Sequence, residues 1–127
     1  GDYIHRRRGV YERARTAIAA GDRIGIALPV LAELWFGVEY SSSRERNAER
    51  LRRALPDFAV WPMTESAAEA YGRLAASLKR AGQPIGNIDM LIAAIALSLG
   101  KTTVVSGDSD LSKVPGLAVE NWATPNG

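Results

Sequence analysis

From Met90 to Leu97 the chain carries eight successive residues without a polar side chain, inside the stretch QPIGNIDMLIAAIALSLG (83–100). A helix built from that run is apolar on nearly every side, so other elements must enclose it. The run is far too short to span a bilayer, which takes about 20 residues. Asp89 stands at its head, where an ionised carboxylate is costly unless a cation or a donor faces it. The partner of Asp89 is therefore the first functional question.

A chain of 127 residues is long enough for one sizeable core, and a single domain over 1–127 is expected. With 46% apolar and 24% charged residues it reads as a folded globular chain. The absence of cysteine excludes disulfides and thiolate metal sites and suits a reducing compartment. No charged-then-apolar signal segment opens the sequence, so a cytoplasmic protein without membrane association is expected. The net charge of +2 conceals basic clusters at Arg6–Arg8, at Arg44, Arg46, Arg50, Arg52 and Arg53, and at Lys79 and Arg80. Such clusters favour polyanions, although a solvated helix face explains any one of them equally well.

Periodicity predicts a helix over 3–20, with Val10, Tyr11, Ala14, Ala17 and Ile18 on one face and Gly21 as its stop. RIGIAL (23–28) reads as a strand, and Pro29 suits the first position of a helix to about Tyr40. A helix over 44–55 turns Ala48, Leu51 and Leu55 inward; FAVW (58–61) is a strand stopped by Pro62. Ser66 with Glu69 resembles a capping box opening a helix to Ala81. The buried helix runs from Asp89 to Gly100, TTVVS (102–106) is a strand, and LAVENW (117–122) follows the Pro115–Gly116 turn as a last one. This alternation predicts an α/β fold, a parallel sheet with helices on both faces. His5 reads as a surface residue, and Trp35, Trp61 and Trp122 as core or interface anchors.

In such sheets ligands bind outside the carboxyl ends of the strands. Glu33, Asp89 and Asp108 all map to that edge, with Asp110 two residues beyond Asp108; Glu39 falls on the far side of its helix's apolar stripe. Carboxylates gathered without Cys or His suit a hard cation, Mg²⁺ or Mn²⁺, which can activate water and stabilise charge on a phosphodiester. Each acid also has a plainer explanation. Asp89 could cap its helix, Glu33 could be a half-exposed helix acid, and Asp108 and Asp110 in SGDSD could be turn residues.

Three stretches in order, LPVLAELWFGVE, GQPIGNIDMLIAAIALSLG and VVSGDSDLSKVPGLAVENW, resemble the PIN domain, and within it the VapC-type toxins of bacterial toxin–antitoxin pairs. The similarity covers essentially the whole chain. It implies a three-layer fold with a central parallel sheet flanked by helices, and a Mg²⁺- or Mn²⁺-dependent ribonuclease held inactive by a cognate antitoxin. It further implies a homodimer acting on RNA. Glu33, Asp89 and Asp108 match the family's second, third and fourth acids, Ser106 the hydroxyl residue before the fourth, and Asp110 a nearby acid of variable role. Arg50, Arg52 and Arg53 are candidate RNA contacts.

The resemblance departs at the start. The family opens with an apolar strand ending in the aspartate that is its first metal ligand, and neither is found here. The expectation is a domain truncated at its N-terminus, with unpaired backbone mid-sheet and weak metal binding and cleavage. A non-catalytic PIN-like module that binds RNA or an antitoxin is the alternative. A phosphotransfer receiver has similar architecture, but Lys101 sits at the wrong end of its strand for that role.

Overall fold

The structure, a computed structural model, describes residues 17–20, 23–105 and 109–120. Five strands form one sheet: β1 (Ala17–Ala20), β2 (Arg23–Ala27), β3 (Ala59–Trp61), β4 (Thr102–Val105) and β5 (Ala118–Glu120), in the order β3-β2-β1-β4-β5. Four helices flank it: α1 (Leu28–Tyr40), α2 (Arg44–Ala54), α3 (Glu65–Arg80) and α4 (Asn87–Ser98). Short 3-10 turns cover Leu55–Asp57 and Ser109–Lys113. The three-layer α/β architecture is the expected one. No helix among the described residues is long and apolar enough to cross a membrane.

The middle of the sheet departs from expectation. Residues 17–20, read from periodicity as the end of a helix, form the central strand, antiparallel to both β2 and β4. β3 runs parallel to β2, and β5 to β4, so the other four strands share one direction and β1 alone opposes them. The slot expected to leave unpaired backbone is therefore filled on both sides. Backbone pairing outweighs the helix preference of alanine here, because an open position between two strands leaves two rows of unmet donors and acceptors. Residues 3–16 of that predicted helix lie outside the described residues, as do Asp2, His5, Arg6–Arg8, Ser106, Asp108 and Trp122.

The apolar run behaves as its composition dictates. Ile92, Ala93, Ala94, Ile95 and Ala96 are all buried, and α4 packs chiefly on α3 through Leu74 and Leu78 and on β4. Each buried isoleucine contributes about 1.5–3 kcal/mol of transfer free energy. The helix ends at Gly100, whose φ of 86° only glycine adopts without strain. Helix α3 begins two residues earlier than the Ser66 box implies. Thr64 is its N-cap, its Oγ1 accepting from the Ala67 N–H at 3.1 Å, while Glu69 accepts from Arg73 instead. At Gly25 in β2 the indole of Trp61 lies so close that an added Cβ would overlap its Nε1 and stand 2.7 Å from the Ala59 carbonyl. That contact keeps a bulky ring over the β2–β3 pair.

Candidate functional site

Helix α1 starts directly after β2, with Ala27 as N-cap and Pro29 in its first turn, where a missing N–H costs nothing. Val30 and Val38 are buried beneath it, which turns Glu33 outward near the carboxyl end of β2. Glu33 lies on the wall of a cleft of about 530 Å³. The same wall carries Leu28 and Phe36 of α1; Met63 closes one side, and Ile88 and Leu91 of α4 form the other. Among the described residues its lining is apolar apart from Glu33.

Asp89 is the residue after Ile88, half-buried in the first turn of α4. It is not the cap of that helix: the N-cap position is Gly86, and no side chain caps it there. A carboxylate in the first turn still gains from the positive end of the helix. Two predicted acids are thus carried by the two helices that face each other across one cleft.

The third acid, Asp108, and Ser106 fall outside the described residues, but the strand leading to them does not. Ala17 of β1 pairs with Ile26 of β2 on one side and Val105 of β4 on the other. The ends of β2 and β4 therefore lie at one edge, two strand spacings or roughly 10 Å apart. β4 ends with Val105 at the edge where α1 begins. Among the described residues no three acids or histidines stand together as a metal cluster.

Asp110 lies in the 3-10 turn Ser109–Lys113, half-buried, with Lys113 Nζ 3.3 Å from its Oδ1. Glu39 is taken up elsewhere: Arg44 Nε donates to its Oε1 at 2.7 Å, joining the end of α1 to the start of α2. That hydrogen bond holds the Glu39 carboxyl below its ordinary range.

The candidate RNA-contacting arginines differ in their engagements. Arg53 pairs with Glu49 at 3.3 Å, and the Arg52 guanidinium lies 5.6 Å from the ring centre of Trp35. Arg50 is exposed. What sequence reasoning missed is the apolar wall. Leu28, Ala32, Phe36 and Tyr40 recur every fourth residue along α1, a stripe whose members Phe36 and Tyr40 stack at 5.7 Å and stay 67% and 83% exposed. The period was present in the sequence; only the fold shows that the stripe faces outward.

The predicted acids offer carboxylate oxygens and no sulfur or imidazole, the donor chemistry that a hard divalent cation takes. Comparison with known proteins bears on the family of the chain. The PIN domain family model matches residues 3–117. Ribonuclease VapC2 of Rickettsia felis is 33% identical over 105 residues, 83% of this chain and 78% of that protein. The tRNA(fMet)-specific endonuclease VapC of Salmonella typhimurium is 32% identical over 100 residues, 79% of this chain and 76% of that protein. Among solved structures, VapBC2 from Rickettsia felis bound to a DNA fragment from their promoter aligns with a TM-score of 0.76 at 28% identity, covering 96% of this chain and 86% of that one. VapBC-1 from nontypeable Haemophilus influenzae aligns with a TM-score of 0.75 at 27% identity, covering 84% and 79%.

Proposed function

Because the chain belongs to the PIN domain family, and within it to the VapC type, we propose that it is a metal-dependent endoribonuclease, the toxin of a toxin–antitoxin pair. The observation that carries this is the meeting of α1 and α4 across one cleft, with Glu33 on one wall and Asp89 beside the other. Glu33, Asp89 and Asp108 are the residues that would hold Mg²⁺ or Mn²⁺. An ion held there would supply a nucleophilic water and charge stabilisation at the phosphodiester. The chain's own part is positional: the buried side of α4 fixes the backbone that carries Asp89, and β2 with Pro29 fixes the start of α1. Ser106 and Asp110 support the site, and Arg50 and Arg53 lie among the groups available to RNA phosphates.

The partners follow from the same reading: an RNA substrate, a cognate antitoxin and a second copy of the chain, all in the cytoplasm. The exposed side chains of Leu28, Phe36 and Tyr40 provide an apolar surface suited to a protein partner.

A total-RNA digest with Mg²⁺ or Mn²⁺ tests the proposal. It compares the parent chain with its Asp89→Asn form. The expected result is metal-dependent cleavage by the parent that vanishes with Asp89→Asn, while circular dichroism shows the fold retained. RNA binding without cleavage in every form would support the non-catalytic module instead. Cleavage that survives Asp89→Asn would remove Asp89 from the site.

A further inference from the structure

The arginines of α2 fall into two sets once their surroundings are known. Arg44 donates to Glu39, and Arg52 lies over Trp35, so both are committed to α1. At 100° per residue, Arg46, Arg50 and Arg53 share a sector roughly 60° wide on the side opposite Ala48, the one fully buried residue of the helix. All three are exposed. Arg53 has an exposed pairing with Glu49, which is weakly held. Arg46 and Arg50 have no ion pair among the described residues, and they stand four apart on the helix.

Like charges at that spacing repel and work against the helix. Stability alone does not explain three guanidinium groups in one line, whereas a polyanion laid along them converts the repulsion into attraction. Four helical residues rise about 6 Å, comparable with the separation of neighbouring phosphates along one strand. No residue of α2 lines the acid cleft, so this surface is separate from it.

We propose that Arg46, Arg50 and Arg53 form a ridge on α2 that binds consecutive phosphates of single-stranded RNA, holding the substrate away from the cleaving acids. The assignment rests on the ribonuclease reading for the identity of the polyanion. Arg52 takes no part in the ridge, since its guanidinium faces Trp35.

The test is fluorescence anisotropy on the full chain with a labelled single-stranded RNA oligonucleotide in EDTA, across a salt series. Chelation makes the readout independent of cleavage, so loss of the nuclease reading and loss of the ridge are distinguishable. The double variant Arg46→Gln/Arg50→Gln should weaken binding and lower the log–log salt slope by about 1.4, two phosphate contacts on a single strand. Its melting temperature should equal or exceed that of the parent, because a repulsive pair has been removed. The variant Lys79→Gln/Arg80→Gln makes the same change in net charge on exposed positions of α3, and should leave the slope within error. An unchanged slope in the α2 variant, or an equal fall in the α3 variant, would overturn the ridge. A fall confined to a duplex DNA probe run in parallel would overturn its assignment to RNA.

Discussion

Helices α4 and α2 are almost the same length, 12 and 11 residues, and their relations to water are opposite. α4 hides five successive residues and exposes little more than its ends, whereas α2 buries Ala48 alone and turns its arginines outward. The first is held by removal from water, the second by helix propensity and surface pairs such as Arg53–Glu49. A helix locked in the core can carry a functional group only at its end, which is where Asp89 sits. A helix on the surface can present a whole face.

That contrast can be broken from either side. The largest effect should come from Ile95→Ala, which leaves a cavity beside a side chain with no exposure and should cost about 2–5 kcal/mol in chemical denaturation. Ala48→Leu should cost about 1–3 kcal/mol by the same measurement, since it overfills the single buried point of α2. A loss as large as that of Ile95→Ala would show that α2 is held by the core after all. Arg53→Gln should change stability by no more than about 0.5 kcal/mol, as exposed pairs do.

The smallest effect concerns Glu39 and acid. Its pKa is lowered by the hydrogen bond from Arg44, so the pairing stabilises the fold above the ordinary glutamate value of 4.5 and is lost as pH falls through the lower folded value. The difference in melting temperature between the parent and Glu39→Gln should be flat near neutrality and shrink in acid. A difference that grows in acid would mean that the carboxylate is not the group being stabilised.

How far the sequence could be read depended on whether a signal was local. The enclosed helix was predicted over 89–99 and spans Asn87–Ser98; the charged helix was predicted over 44–55 and spans Arg44–Ala54. Composition alone fixes which of them is buried. Ala17–Ala20 was misread, because small residues carry little strand preference and continue the helical spacing that precedes them. The signal that could have corrected this was Gly21–Asp22, a two-residue hairpin spacer between AIAA and RIGIA. The cap of α3 was displaced from Ser66 to Thr64 because neighbouring hydroxyl residues offer the same chemistry, and only the backbone turn chooses between them. Glu33 and Asp89 were placed on the correct helices, but the apolar wall between them depends on Met63 and Leu91, which meet only through tertiary packing. Charge clustering found the arginines of α2. It could not show which of them already had partners.

The opposed central strand also sets an order of assembly. β1 and β2 are joined by two residues, so their pairing is a short-range event that closes on the microsecond scale. β1 and β4 are separated by most of the chain, and the entropy of closing that loop must be met before Ala17–Ala20 finds Thr102–Val105. Until then the hairpin displays one open edge of small, uncharged residues, the kind of edge to which another unfolded chain can add. The run that forms α4 immediately precedes β4, so burial of that helix and closure of the sheet are parts of one late step. A chain that stalls before it has both its most adhesive edge and its most apolar segment exposed together.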